Sequence, residues 1–205
     1  APPVQEVPVK VTASWVSHST PQSVGYFIET PEGNLLNPGD FKLDQTVLWG
    51  PAFNEEQFHR IVSKPVDLLL LDSTGADRDV TPVTENDVRE SLRDVAAEHA
   101  SKRLIVAVMG GYEENLASVA KVAAETGRTV WVAGASHEQS LSALKDVGMD
   151  LNDHLGQSVD LRILAPGKAA RALAETPPKN SVVVVTGAQG HANAALTRAA
   201  DGKHN

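Results

Sequence analysis

The chain has 205 residues, enough for one or two domains with a real core, and its lack of cysteine excludes a disulfide scaffold and thiolate zinc sites. Any metal must therefore be held by His, Asp or Glu. The 26 acidic and 18 basic side chains give a formal charge of −8, which repels a polyanion over most of the surface unless a local metal centre or phosphate pocket reverses the field.

No apolar run approaches the roughly 20 residues of a membrane span, and Ala1-Pro2-Pro3-Val4 has neither a basic nor an apolar leader segment. The expectation is a soluble chain without membrane contact, and the missing cysteines are compatible with a reducing, cytoplasmic setting. A start without Met points to a processed chain or an excised fragment.

Residues 7 to 37 read as β structure. Val7, Val9 and Val11 alternate with polar partners, and Val24 to Ile28 and Leu35-Leu36 flank the turn Thr30-Pro31-Glu32-Gly33-Asn34. After Asp40 the pattern changes to helices alternating with strands. Asn54 can cap a helix through Val62, and Val66 to Leu71 is a continuous apolar run that reads as a buried strand ending in Asp72-Ser73-Thr74-Gly75. Thr84 and Asp87 resemble a capping box with Asp in place of Glu, ahead of Val88, Leu92, Val95 and Ala96 at helical spacing. Leu104 to Met109 is the next strand, Tyr112 to Thr126 the next helix, and Gly127 its stop. Thr129 to Ala133 is a further strand, after which Ser136 caps a helix that reaches about Val147. The stretch from 148 to 180 is less regular and holds Arg162-Ile163-Leu164 and a short Ala-rich helix before Pro177-Pro178. Val182 to Val185 is then a strand entering the glycine loop Thr186-Gly187-Ala188-Gln189-Gly190, with a helix after it. This alternation predicts an α/β protein with a doubly wound, mainly parallel sheet, whose ligands sit beyond the carboxyl ends of the strands.

His18 and Asp40 each directly follow a predicted strand. An imidazole and a carboxylate at adjacent strand ends can bind zinc, and the carboxylate can bridge two ions. Spacing alone favours the plainer alternative, a polar loop histidine and a turn aspartate. Asp72 taken by itself is a strand-end cap, and a lone glycine loop is an ordinary strand–helix turn. His59, His99 and His137 fall on predicted helices and His154 in the irregular stretch, where surface or satisfied histidines are the better reading. His191 and His204 flank the glycine loop region without ligand spacing.

Three groups of residues carry a resemblance that changes this weighting. His18-Ser19-Thr20-Pro21-Gln22-Ser23, then Thr30-Pro31-Glu32-Gly33, then Gly39-Asp40-Phe41-Lys42-Leu43-Asp44 are similar, in order and spacing, to the ribonuclease J pattern H-S-I-P-D-S, T-P-x-G, G-D-F-K-I-D. Leu71-Asp72-Ser73-Thr74-Gly75-Ala76-Asp77 resembles the family's S-D-S-T-N-A-E. Val185-Thr186-Gly187-Ala188-Gln189-Gly190, with Ala194 to Ala199 after it, is similar to T-T-G-S-Q-G-E-P-M-A-A-L-x-R-x-A. The matches run from about residue 7 to 205.

The resemblance implies the second half of a metallo-β-lactamase αββα domain over residues 1–75, followed over 76–205 by a β-CASP domain incomplete at its carboxyl end. It implies RNA phosphodiester hydrolysis with two zinc ions, RNA as partner, and an intact protein compatible with a homo-oligomer. His18 would ligate one zinc ion, Asp40 would bridge two, and Asp72 would be the acidic residue that supports the catalytic centre by hydrogen bonding. Thr186, Gly187, Gln189 and Gly190 would line a pocket for RNA phosphate, where backbone N–H groups and a positive helix end face the ligand.

Departures from the pattern matter too. Ala188 stands where the family usually has a phosphate-binding Ser, and Met109-Gly110-Gly111-Tyr112 stands where it has F-A-S-N, so two polar contacts to a 5′-phosphate are lost. The family's H-x-H-x-D-H and H-x-S-G-H metal motifs appear nowhere in the 205 residues. The chain by itself is therefore expected to be an inactive fragment or divergent member. The rival readings are a non-catalytic relative kept for RNA binding or assembly, and a small nucleotide-binding α/β protein.

Overall fold

In the computed structural model, which describes residues 8–164, 174–186 and Leu196, the chain forms two units that divide between Pro82 and Val83. The first is built on a mixed four-stranded sheet, β1 (Lys10–Trp15), β2 (Val24–Thr30), β3 (Gly33–Asn37) and β4 (Leu68–Leu69), in that spatial order. The β2–β3 hairpin forms where Thr30 Oγ1 accepts the N–H groups of Glu32 and Gly33, both at 3.2 Å, and donates to the Gly33 carbonyl at 2.8 Å. Alternation sorts the side chains of β2: Phe27 is fully buried, and Glu29 on the same face is buried between Lys10 and Lys64 at 2.7 and 2.8 Å. Those two ammonium groups, Lys10 first, hold the Glu29 carboxyl below the usual carboxylate range.

The helix α1 (Glu55–Ile61) starts at Asn54 as its residues predict, with Asn54 Oδ1 accepting from the Gln57 N–H at 2.9 Å. Against expectation, Val66 to Leu71 is not a buried strand. Only Leu68 and Leu69 pair, and Leu68 to Leu71 are 46–51% exposed. The reason is position: β4 is an edge strand held only to β3, and α1 packs at β1, the other end of the sheet.

The second unit is a parallel sheet of β5 (Leu104–Val108), β6 (Thr129–Ala133), β7 (Leu161–Ile163) and β8 (Ser181–Thr186), in the spatial order β5-β8-β6-β7. The last strand among the described residues thus fills the centre, and Val182 to Val185 are buried there. The all-parallel arrangement agrees with the reading from strand–helix alternation. Helices α2 (Glu85–Glu98) and α3 (Glu113–Glu125) pack on each other, and α3 lays Leu116, Ala117, Val119, Ala120 and Ala123 against the sheet. The capping box at Thr84 and Asp87 is present on both sides. At the other end of α2 the buried Arg128 guanidinium donates to the carbonyls of Ala96, His99, Ala100 and Lys102 at 2.8–3.4 Å, satisfying groups that the helix terminus leaves open.

Two further expectations are corrected. Helix α4 (Ala135–Asp146) is capped not by Ser136 but by Gly134, which turns at φ +136 and makes no side-chain cap. Gly134 suits this place because its φ favours glycine and a Cβ there would lie 3.0 Å from the Thr186 side chain. The irregular stretch after Gly148 contains a short helix, α5 (Leu151–Leu155), capped by Asp150 and ended by Gly156 in the left-handed region. Val7, the Ala-rich segment up to Leu173, and Gly187 to Gly190 lie outside the described residues.

Candidate functional site

The three sequence-predicted residues of the first unit follow strands that run the same way. β1 and β3 are each antiparallel to β2, and β4 is parallel to β3, so the carboxyl ends of β1, β3 and β4 share one edge of the sheet. His18 follows the first, Asp40 the second and Asp72 the third. An isolated bridge ties the outgoing segments together, with the Lys42 N–H donating to the Ser17 carbonyl at 2.6 Å.

Asp40 and Asp72 line one open cleft with Asn37, Gly39 and Leu69 to Leu71. Beside it the Leu70 N–H donates to the Leu36 carbonyl at 2.9 Å, which holds the chain after β4 alongside β3. One Asp72 oxygen accepts from the Thr74 N–H at 2.9 Å and from the Thr74 hydroxyl at 2.7 Å. These two bonds, and then the charge of His18, hold the Asp72 carboxyl below its ordinary acidity range. Asp44 makes the same turn with Thr46, both contacts at 2.7 Å, so an Asp-x-Thr turn is a local device used twice.

His18 is half-buried in a pinned loop. Its Nδ1 is 3.0 Å from Ser19 Oγ, the loop is closed by the Val16 N–H on the Ser23 carbonyl at 2.9 Å, and Ser17 and Ser19 on either side are buried. The loop packs on Val47, Trp49, Gly50 and Pro51. In kind, an imidazole and carboxylates suit zinc. In number they fall short, since among the described residues no group of three His, Cys, Asp or Glu is placed to hold one ion.

In the second unit Thr186 closes β8 at the carboxyl edge of the parallel sheet, where the segments after β5 and β6 also emerge. Gly187, Gln189 and Gly190 lie outside the described residues, as do Ala188, His191 and His204. Close approaches crowd this edge: a Cβ on Gly110 would sit 2.9 Å from Ser136 Oγ, and one on Gly134 3.0 Å from Thr186.

Of the other histidines, His59 and His154 are exposed, and His99 is partly so. His137 is different. It is fully buried, and neither ring nitrogen has a hydrogen-bond partner among the described residues. Burial pushes its pKa down, with Glu113 acting weakly the other way. It is thus neither the surface nor the satisfied histidine that its helical position predicts. Only the glycine before α4 hinted at the tight packing there.

The comparisons with known proteins agree with the family resemblance. The profile of the ribonuclease J β-CASP domain matches residues 101–205. Ribonuclease J of Sinorhizobium meliloti is 31% identical over 193 residues, covering 94% of this chain and 32% of that protein. Ribonuclease J2 of Bacillus subtilis is 30% identical over 200 residues, covering 95% and 33%. Ribonuclease J of Mycolicibacterium smegmatis is 30% identical over 189 residues, covering 92% and 32%. The chain spans about a third of the length of these curated relatives. With the profile occupying its second half and these relatives aligning over nearly all of it, the chain belongs to the ribonuclease J family.

Proposed function

We propose that this chain is part of a metal-dependent ribonuclease of the ribonuclease J type, acting on RNA phosphodiester bonds in a cytoplasmic setting. Residues 1–75 are then part of a metallo-β-lactamase domain and 76–205 belong to the β-CASP domain. His18 and Asp40 contribute two ligands to a zinc centre, Asp40 as the bridging carboxylate, and Asp72 supports it by hydrogen bonding. Thr186, Gly187, Gln189 and Gly190 form part of the cradle for RNA phosphate. The observation that carries this reading is that Asp40 and Asp72 line one cleft, at the sheet edge where the strand before His18 also ends.

Zinc, when bound, supplies an activated water and stabilises charge on the attacked phosphate. The chain's own residues do the placing. Thr74 fixes one oxygen of Asp72 and keeps that carboxyl ionised, and the Ser17–Lys42 bridge ties the His18 loop to the segment after Asp40. A catalytic zinc takes three protein ligands and a two-ion site more, so His18 and Asp40 need histidines from elsewhere in a longer polypeptide.

A zinc titration of the isotopically labelled chain, followed by NMR, tests the assignment. Weak binding centred on His18 and Asp40 is expected. A response centred on His59, His99 or His154 would sink it.

The shortage of ligands and the Ala188 substitution favour a second reading, a non-catalytic relative kept for RNA binding or assembly. The two part on the residues encoded before Ala1. An H-x-H-x-D-H segment there supports the nuclease, and a longer gene without one leaves the binding role.

A further inference from the structure

Gly25 lies inside β2, buried and paired with Ser14, and its φ is not positive, so no turn requires a glycine there. What it supplies is the missing Cβ. A Cβ at this position would lie 2.8 Å from Pro38 Cα, 3.1 Å from the Pro38 carbonyl oxygen and 3.2 Å from its carbon. All three are backbone atoms, which cannot rotate out of the way. After Pro38 the chain turns at Gly39, at φ +64, where the Asn37 side chain accepts from the Gly39 N–H at 3.0 Å. Asp40 thus stands two residues beyond a point at which the chain is pressed onto β2.

Gly50 does the same for the other loop. Its Cβ would meet Pro21 Cα at 3.2 Å and Pro21 Cβ at 3.4 Å, and its φ of +118 already disfavours any side chain. Pro21 is three residues after His18, and Gln22 beside it is held at φ +66, while Ser23 Oγ donates to the Thr20 carbonyl at 2.8 Å. Trp49, next to Gly50, is buried beneath this loop.

We infer that Gly25 and Gly50 are positioning residues, Gly25 for Asp40 and Gly50 for His18, each fixing a ligand-bearing loop by letting a proline approach more closely than a side chain accommodates without a shift. The geometry stands by itself, and its meaning for a metal centre rests on the reading proposed above. Holding ligand-bearing loops in a fixed geometry preorganises a site, so loosening them weakens binding.

The test uses the labelled 205-residue chain with Gly25→Ala, Gly50→Ala and, as control, Gly127→Ala, where φ is +66 but nothing lies within 4 Å of the added carbon. Gly25→Ala is expected to move the amide signals of Gly39, Asp40 and Phe41 and to leave Ser19 and Gln22 in place. Gly50→Ala is expected to do the reverse, and Gly127→Ala to lower stability while moving neither loop. Zinc affinity read at His18 and Asp40 is expected to fall in the first two variants only. If Gly25→Ala does not fold, Pro38→Gly loosens the residue pressed against Gly25 without adding a heavy atom, and it must shift the Asp40 and Phe41 amides. Unmoved loops, or moved loops with unchanged zinc affinity, would overturn the inference. Moved loops in a protein whose His18 and Asp40 never respond to zinc would keep the positioning and remove the metal reading instead.

Discussion

Thr74 sets the acidity of Asp72 before any metal does, because two of its donors converge on one carboxylate oxygen. Thr74→Val removes the hydroxyl and keeps the N–H, so the Asp72 pKa should rise toward the ordinary value of about 3.9, as a carboxyl carbon titration would show. The sign follows from a depressed folded-state pKa: this contribution to stability is present above the unfolded pKa and is lost as pH falls through the folded one. His137 supplies a second case, a base whose charged form is disfavoured by burial. Below its unfolded value of about 6.5 the unfolded chain gains a proton that the folded chain refuses, so stability falls with pH until the folded pKa is reached. His137→Leu should flatten that slope in thermal melts and cost little at neutral pH, since an unsatisfied buried polar group costs about 1–3 kcal/mol. An unchanged slope would place the titration elsewhere. His18, Asp40 and Asp72 were legible as strand-end residues in a recognisable series. The burial of His137 was not, because helical spacing says nothing about what a helix packs on.

At the scale of elements, most signals confined to a few residues read correctly, with the Ser136 cap as the exception. Asn54, the Thr84–Asp87 box, the Gly127 stop and the strand Thr129–Ala133 each depend on neighbours a turn away. Thr84→Ala should therefore lower stability by about 1 kcal/mol, the usual cost of losing an N-cap, visible as a drop of several degrees in Tm. Arg93→Ala breaks a two-pronged pair with Glu125 that joins α2 to α3 at 2.8 and 3.1 Å, yet both groups remain partly exposed. Its effect should be smaller than that of Thr84→Ala and should shrink further in salt. Val66 to Leu71 misled because an apolar run reports the need for cover and not its presence: β4 has a partner on one side and stays half-exposed. Helix α5 was missed because five residues between two glycines are too few to show a helical period.

Over the whole molecule, strand–helix alternation sufficed to read a parallel sheet but not its order, because β8 enters between β5 and β6 from the far end of the sequence. Such pairings depend on contacts that no local pattern encodes. The net charge of −8 argues against general attraction to RNA, so the proposed function requires the strand-end loops to supply any contact with a phosphate backbone. No helix among the described residues is long and apolar enough to cross a membrane. Under the proposed function this chain holds part of a zinc centre and not a whole one. The most direct measurement is to dialyse the purified 205-residue chain against trace zinc, count the metal by atomic absorption, and incubate the same sample with 5′-monophosphorylated RNA. Less than one zinc ion per chain and uncut RNA are predicted, because two ligands are too few to hold a catalytic ion. Zinc that survives dialysis at one or more ions per chain, or cleavage abolished by His18→Ala, would contradict the account.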